Sequence, residues 1–516
     1  MGSENLLKFC LEKGLLVDKE MLGLFSEIED IESIKFILEK IKHSTSNSII
    51  TKQVFLQNRE QVNSFFSILP QENQRKLEKL KIKLGLSIEI TKETQLIPIK
   101  KEREFNDVRI ISKSLASDKK VVVKDFVTYF RNRFVSMRNI LLEHSDLKNL
   151  VSLNKLAKNN QGISVIGIVS SRSVTKNGNI ILEIEDLTGK TKILINKNKE
   201  DLYEKAEDIV LDSVLGFKCS GNDQILFCNE VIFPDSVLFE RKKSPVEEYA
   251  LFLGDLHYGS KNFMKENFLS FIDYLNGKVP NTPEVEKIKY VFFIGDLITG
   301  VGNYPNQEKD LLVVDLEQQF SELADILSTV RKDIKIILSP GNHDCVRLME
   351  PQPLLNEKYA WPLYNIENII FTENPSTVNI GAKSGFGGYN VLGYHGFSFP
   401  YYANTVSKLM LKKSMNTPER IMEFLLKQRH LAPSHTSVQY FPGKEDCHII
   451  KEVPDIFVAG HTHKSAVVYY NNILLISSSS WETKTPYQEK FGNEPDHCKI
   501  PMFNLKTRAI KILDFE

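Results

Sequence analysis

The sequence predicts a multidomain protein of mixed α/β (α+β) class. A layered domain of sheets and helices is expected to follow a small β-barrel and an N-terminal helical domain. With 516 residues, the chain exceeds the roughly 250–300 at which one hydrophobic core stops growing. Along the chain, apolar residues first recur at helical spacing, then alternate with polar residues, and finally form strand-like runs between helical stretches. The last of these patterns is typical of a layered domain.

Residues 1–82 are predicted to form the N-terminal helical domain. In LLKFCLEKGLL and IESIKFILEKIKH the apolar residues recur at three- and four-residue spacing, as on one face of a helix. Residues 83–120 are charged and have no sustained period. We therefore expect a linker there, disordered in part.

Residues 121–240 are predicted to begin with a long helix, KDFVTYFRNRFVSMRNILLEH. An apolar stripe on this helix is expected to face a core. Its members are Phe126, Phe130, Phe134, Met137 and Leu141. Three arginines lie off the centre of the stripe, namely Arg131, Arg133 and Arg138. A solvated face is the expected role for these arginines, and contact with phosphate is the alternative.

A small β-barrel is predicted to follow the helix. From Gly162 to about Pro234 the chain has short alternating runs, with hairpin signals at 176–179 (KNGN) and 187–190 (LTGK). About five strands in so short a segment suit an OB-fold, although strand number does not exclude other barrels. Such a barrel either binds single strands or docks a protein, and the sequence gives both roles equal weight.

In residues 241–516, five apolar runs each end at a polar cluster. They are YALFLGDLH (249–257), YVFFIGD (290–296), IKIILSPGNHD (334–344), YNVLGYHG (389–396) and PDIFVAGHTH (454–463). Loops at the carboxyl ends of strands build the ligand site of an α/β sheet. We therefore expect these five clusters to converge at one edge, where their glycines allow tight turns.

The clusters supply carboxylate, amide and imidazole groups: Asp255, His257, Asp296, Asn342, His343, Asp344, His395, His461 and His463. Taken singly, each histidine or aspartate here is more often a structural or turn residue. Together, imidazole and carboxylate suit manganese, iron, zinc and similar ions, and the lack of cysteine disfavours structural zinc. Seven of these residues are potential ligands, which is too many for one ion. Two ions would need a shared ligand, usually a carboxylate.

Composition excludes several classes of protein. Lysine plus arginine and aspartate plus glutamate both total 66, so nucleic-acid binding would depend on local patches. The six cysteines are far apart, which argues against a zinc ribbon and a disulfide framework. The N-terminus does not resemble a signal peptide, and no run approaches the ~20 apolar residues of a membrane span. We expect a cytoplasmic protein that does not bind membranes.

The motifs D-x-H, G-D, G-N-H-D, G-x-H-G and G-H-x-H occur in this order across about residues 249–465. They resemble the calcineurin-like metallophosphoesterase superfamily, which implies a two-layered β-sandwich flanked by helices. The OB-like segment, RHLAPSH (429–435) and EVPDIFVAGHTH (452–463) are similar to the small subunits of archaeal family-D DNA polymerases. This second resemblance covers about residue 125 to the C-terminus.

The resemblance implies two divalent ions, with manganese favoured over iron, zinc or magnesium. The implied ligands of the first ion are Asp255, His257, Asp296 and His463. Asp296 is also implied as a ligand of the second ion, together with Asn342, His395 and His461.

Two further residues have implied catalytic roles. His343 is expected to protonate or stabilise the departing 3′ oxygen. Asp344 is expected to hold the His343 imidazole in one tautomer by a hydrogen bond. A helix cap is the alternative role for Asp344.

The implied function is that of the small subunit of a heterodimeric replicative DNA polymerase with metal-dependent 3′–5′ exodeoxyribonuclease (proofreading) activity. Its DNA partners would be single-stranded or frayed 3′ ends and primer-template. Polymerisation would need a separate large subunit, since this chain has no evident polymerase carboxylate pair. Related repair nucleases carry a further histidine after the G-D motif, where this chain reads GDLITGVGNYP. A non-catalytic scaffold subunit and a phosphoesterase for another substrate are the alternatives.

Overall fold

The protein is described from a computed structural model that covers residues 2–26, 30–44, 49–51, 54–55, 58–69, 73, 77, 80, 107–112 and 120–516. The chain divides into two compact units, Met1–Glu102 and Arg103–Glu516. Within the described ranges, no helix is long and apolar enough to cross a bilayer.

The first unit contains helices α1 (Gly2–Glu12), α2 (Lys19–Ser26), α3 (Ile31–Ser44) and α4 (Arg59–Ile68). Strands β1 (Leu16–Val17) and β2 (Ile49–Ile50) pair in parallel. The helices bury the apolar residues that recur at helical spacing. In α3, for example, Ile34, Leu38 and Ile41 are buried in one cluster with residues of the other helices.

One strand lies inside the predicted linker. Val108–Ile110 forms β3, which pairs antiparallel with Ser376–Ile380 at the edge of a large sheet. A three-residue strand has no detectable period, and its pairing partner lies far away in the sequence. For this reason the sequence pattern did not predict it. The other linker residues, 83–106 and 113–119, lie outside the described residues.

The long helix α5 spans Val123–Leu142. Phe134, Met137 and Leu141 are buried in one cluster with residues of the barrel and with Ile449 from a later loop. Arg133, however, is not solvated as expected: it is 1% exposed, and its Nε lies 2.5 Å from Asp446 Oδ2. The partner carboxylate comes from a loop that is distant in sequence, so the helical pattern alone could not reveal the ion pair.

The barrel consists of β4 (Asn160–Val174), β5 (Ile180–Glu185), β6 (Lys190–Ile195), β7 (Val214–Gly221) and β8 (Ile225–Ile232). It is closed in the order β4-β5-β6-β8-β7, with β6 and β8 parallel. Helix α6 (Glu200–Ala206) connects β6 to β7. Alternate residues point inward, so Ile180, Leu182 and Ile184 are all buried in the barrel core.

The rest of the second unit is a sandwich of two six-stranded sheets. In sheet order, the first contains β12 (Ile369–Phe371), β11 (Lys335–Ser339), β10 (Ile288–Ile294), β9 (Tyr249–Leu253), β18 (Lys499–Asn504) and β19 (Ile510–Asp514). The second contains β16 (Ala466–Tyr470), β17 (Ile473–Ser477), β15 (Ile456–Ala459), β14 (Tyr389–Tyr394), β13 (Ser376–Ile380) and β3.

Helices cover the outer face of each sheet. α7 (Lys265–Leu275), α8 (Leu316–Ser328) and α9 (Glu357–Tyr364) pack on the first sheet. α10 (Phe399–Thr405), α11 (Ser407–Leu411) and α12 (Pro418–Gln428) pack on the second. A third apolar cluster fills the space between the sheets. The predicted mixed α/β class and helix-flanked sandwich are confirmed.

Candidate active site

The five polar clusters follow strands whose carboxyl ends lie at one edge of the sandwich. β9, β10 and β11 are parallel neighbours in the first sheet, and β14 and β15 are parallel neighbours in the second. Several cluster residues have left-handed backbone, with φ between 51° and 68°: Asp255, His257, Asp296, His461 and His463. Non-glycine residues rarely adopt this conformation, and it is concentrated at functional sites.

The first group of potential ligands is Asp255, His257 and His463. The Nε2 atoms of the two histidines are 3.1 Å apart, and His463 Nε2 lies 3.6 Å from Asp255 Oδ1. Two nitrogens that each lie about 2.05 Å from one ion are about 2.9–3.3 Å apart for right-angle to tetrahedral geometry. The observed separation of the imidazoles therefore suits a shared divalent ion.

The second group is Asp296, His395 and His461, with Asn342 beside them. His395 Nε2 lies 3.2 Å from Asp296 Oδ2 and 3.0 Å from Asn342 Oδ1. Asp296 Oδ2 also lies 3.9 Å from His257 Nε2 in the first group. The carboxylate of Asp296 therefore stands between the two groups, where a shared ligand would be needed.

Glycines allow the loops to approach each other closely. Gly295 has φ 77°, and a Cβ atom on it would lie 2.4 Å from His395 Nδ1. A side chain at position 295 would therefore push His395 away from Asp296. Gly295 is thus required for two reasons. Its own turn has a positive φ, and the loop that carries His395 packs against it.

Burial and neighbouring charge shift the pKa values of these groups. Burial, with Asp296 nearby, raises the pKa of Asp255 to about 8. Burial opposes ionisation of Asp296 too, but His395 and the other imidazoles hold its pKa well below the usual range. Burial lowers the pKa of both His257 and His461 to about 3. These two imidazoles are therefore neutral at pH 7, the form that binds metal ions.

His343 forms a third group of potential ligands with His257 and Asp296. Its Nδ1 atom lies 2.9 Å from the Thr299 carbonyl oxygen, and its backbone N–H donates to Asp296 Oδ1 at 2.8 Å. Its ring meets the His257 ring edge-on, with centroids 4.8 Å apart. Nδ1 also lies 3.1 Å from the Asn303 side-chain amide nitrogen, which donates where the carbonyl accepts, so either tautomer finds a partner at Nδ1 and Nε2 is left for other partners.

Asp344 is not positioned as expected. It is buried, and its carboxylate accepts the backbone N–H groups of Ile298 at 3.0 Å and Gly341 at 2.7 Å. Within the described residues, its carboxylate makes no hydrogen bond to the His343 imidazole, which binds Thr299 instead. No helix starts there either, since the next is α9. Asp344 thus joins two loops of the site rather than orienting an imidazole.

Two contacts to the predicted ligands had no signal in the sequence. Gln488, in the short helix α13 (Pro486–Phe491), places its Nε2 atom 2.8 Å from His463 Nδ1. The Phe397 ring lies edge-on to His461, with centroids 5.5 Å apart. Neither residue belongs to a motif, and a single glutamine in a short helix or a single phenylalanine in a loop has no pattern that distinguishes it.

A cleft of about 1040 Å³ opens onto the ligand groups. Its lining includes His257, Asp296, His343, His461 and His463. Other parts of the lining come from 397–416 and from 482–493. The cleft therefore gives a substrate access to both groups of ligands and to His343.

Comparison with known proteins agrees with this arrangement. A sequence profile described as calcineurin-like phosphoesterase matches residues 250–465. A protein of Pyrococcus horikoshii named DNA polymerase II small subunit is 33% identical over 468 residues, which cover 87% of this chain and 73% of that protein. The chain belongs to the family of DNA polymerase II small subunits. Its calcineurin-like phosphoesterase domain implies that it binds divalent metal.

Other DNA polymerase II small subunits are similar to this one. The protein of Pyrococcus furiosus is 36% identical over 405 residues, which cover 77% of this chain and 64% of that protein. The protein of Methanothermobacter thermautotrophicus is 33% identical over 418 residues, which cover 80% of this chain and 84% of that protein. The chain thus spans less than two thirds of the length of some relatives and more of others.

Proposed function

We propose that this DNA polymerase II small subunit is a metal-dependent 3′–5′ exodeoxyribonuclease that removes nucleotides from single-stranded or frayed DNA ends. It would release a nucleoside 5′-monophosphate and leave a 3′ hydroxyl on the shortened strand, as proofreading requires. The main support is the grouping of the predicted ligands around Asp296, beside a cleft that is lined by His257, Asp296, His461 and His463. A scaffold subunit has no need to retain every ligand in a common geometry.

The residues of the two groups fit a pair of divalent ions. Asp255, His257 and His463 would hold one ion, and Asp296 would be shared with the other. Asn342, His395 and His461 would complete the second set. Bound divalent ions supply Lewis acidity, which lowers the pKa of water and stabilises charge on phosphoryl oxygens. Mixed imidazole and carboxylate donors suit manganese, with iron, zinc or magnesium as the alternatives.

His343 would act on the leaving group. Its imidazole is half-buried at the cleft, and Thr299 and Asn303 hold its Nδ1 atom. Nε2 is then available to protonate or stabilise the departing 3′ oxygen, which is a common role for histidine near neutral pH. Asp344 would support catalysis indirectly, because its carboxylate holds the loop that carries His343.

The small subunit would work with a larger polymerase subunit in a heterodimer and with DNA. We propose that 241–516 is the exonuclease domain, 121–240 a helix with an OB-fold, 83–120 a linker and 1–82 a helical domain. The closed five-stranded barrel supports the OB-fold assignment. That barrel would dock the large subunit or a DNA single strand.

The test is degradation of 3′-labelled single-stranded DNA by the full chain supplied with manganese. We expect metal-dependent release of mononucleotides and loss of release in His343→Ala, while the metal content of this variant stays at the wild-type level. Cleavage of para-nitrophenyl phosphate in preference to DNA ends would instead indicate another substrate. Full metal content with no cleavage of DNA would indicate a scaffold, and copurification with a much larger chain would support the heterodimer.

A further inference from the structure

One wall of the cleft differs in character from the ligand groups. Its apolar members are Phe397, Pro400, Ala403, Met410 and Met415. Methionine side chains are polarizable and adapt to flat apolar groups, and aromatic rings stack on nucleobases. We call this segment, residues 397–416, the methionine wall. The methionine wall lines the same cleft as the metal ligands, and its Phe397 ring lies 5.5 Å, centroid to centroid, from the His461 ring.

Lys413 supplies the positive charge of the methionine wall. Of the described residues that line the cleft, it is the only lysine or arginine. Its ammonium group is exposed, and it makes no ion pair within the part of the chain that the structure describes. A lysine in a cleft with free donors is suited to binding a phosphate group as a point charge.

The backbone at Lys413 is strained. Its φ is 49°, in the left-handed region, where it ends helix α11. The N–H of Lys413 donates to the Met410 carbonyl, and the N–H of Ser414 donates to the Leu409 carbonyl. Glycine is the usual residue at this position of a helix end because it has no Cβ. Glycine therefore suits position 413, and replacing Lys413 by glycine would remove its side chain without straining the turn.

Ser414, the next residue, provides a second and independent observation. It lines the cleft and is 1% exposed, and its hydroxyl has no hydrogen-bond partner in the described structure. A buried hydroxyl without a partner is destabilising, so a ligand that supplies an acceptor would be favoured. A phosphate oxygen that reached this hydroxyl from the cleft would supply the acceptor that it lacks.

The cleft is large for a pocket that binds a single small ligand. Its volume of about 1040 Å³ is at the upper end of the roughly 300–1000 Å³ found for pockets that hold one small molecule. We propose that the methionine wall is a subsite for the nucleotide on the 5′ side of the scissile phosphodiester. Lys413 and Ser414 bind the phosphate next to the scissile one, and Met410, Met415 and Phe397 contact the base. This subsite rests on the proposed nuclease function.

Two short substrates separate the subsite from the reacting centre. The dinucleotide d(TpT) has only the scissile phosphate, whereas d(TpTpT) has a second phosphate for Lys413. We expect Lys413→Gly in the manganese-loaded full chain to raise KM for d(TpTpT) about tenfold and to leave KM for d(TpT) unchanged. Glycine suits the left-handed backbone, so melting followed by circular dichroism should show no loss of stability.

Lys412→Ala is the matched control, because Lys412 is the adjacent exposed lysine and does not line the cleft. It should leave both KM values at the wild-type level. Equal KM changes for the two substrates in Lys413→Gly, or no change for either, would overturn the subsite. Failure of the wild-type chain to cleave either substrate would instead overturn the proposed nuclease function.

A binding measurement tests the subsite without cleavage. The probe is 5′-fluorescein-labelled hexathymidylate, with Ca²⁺ in place of Mn²⁺, and fluorescence anisotropy reports affinity. Lys413→Gly should bind about tenfold more weakly. The slope of log affinity against log salt should fall by about 0.7, the value for one lost contact with a single-strand phosphate. Wild-type affinity and slope in this variant would show that Lys413 does not bind the strand.

Discussion

The backbone of Gly341 packs directly against the carboxylate of Asp296. A Cβ atom on Gly341 would lie 2.2 Å from Asp296 Oδ1, far inside contact distance. That carboxylate oxygen also accepts the backbone N–H of His343 at 2.8 Å. The loop after β11 therefore fixes the position of the carboxylate that stands between the two ligand groups.

We expect Gly341→Ala to lower the bound metal of the chain, because the added methyl group would displace Asp296. Elemental analysis after manganese loading measures the change. Gly387→Ala is the matched control, since a Cβ atom at Gly387 meets nothing within 4 Å. Wild-type metal content in Gly341→Ala would contradict the placement of Asp296 in the metal centre.

Asp296→Asn should bind fewer than two divalent ions per chain. The substitution keeps the shape of the side chain but removes the charge that two ions would share. We expect manganese to raise the melting temperature of the wild type and to have a smaller effect on this variant. Asp310→Asn, which changes a cleft carboxylate that contacts Tyr304 instead of the ligand groups, should behave like the wild type. Two ions in Asp296→Asn would refute a shared ligand.

Gln488→Ala should weaken metal binding about 10–100-fold, the usual effect of removing a group that orients a ligand. Gln488 contacts Nδ1 of His463, so its loss frees the imidazole to turn away from His257. Competition with a chelator measures the affinity. Gln318→Ala, on the exposed face of α8, serves as the control. Unchanged affinity would mean that packing alone positions His463.

Asp344→Ala should lower the free energy of unfolding by about 2–4 kcal/mol, because two buried backbone N–H groups lose their acceptor. Asp344→Asn keeps one acceptor oxygen and should be destabilised less. Urea unfolding of the metal-free chain measures both variants. If Asp344→Ala were as stable as the wild type, its two backbone hydrogen bonds would not contribute to the fold.

Arg133→Met should destabilise the chain by about 3 kcal/mol, because it removes the arginine partner of the buried Asp446 carboxylate. Within the described structure, that carboxylate then keeps only His430 and His448 as ion-pair partners. Arg133 also donates from Nη1 to the Pro433 carbonyl at 2.6 Å, and Tyr129 donates to Asp446 at 2.6 Å. The double variant Arg133→Met, Asp446→Leu should be less destabilised than the single one. Arg131→Met is the control, since that arginine is exposed. Equal stability of Arg133→Met and Arg131→Met would exclude a role for the ion pair.

Most of the fold class follows from local sequence pattern. Helical spacing predicts α3 and α5, and alternation predicts the barrel strands, because each period reports which face of an element is buried. The convergence of the five clusters also follows from sequence, since each stands at the carboxyl end of an apolar run. Residues such as Asp296 and His395 could therefore be proposed as neighbours before their 3.2 Å contact was known.

The remaining features of the fold and the site depend on tertiary contacts that no local pattern records. β3 and the ion pair of Arg133 depend on partners more than 250 residues away, at Ser376–Ile380 and Asp446. The contacts of Gln488 with His463 and of Asp344 with Ile298 join residues that are closer in sequence, 25 and 46 residues apart, but they too depend on how the loops fold. A sequence pattern records which residue types are buried, whereas the direction of a polar side chain depends on which groups the folded chain brings within hydrogen-bond distance.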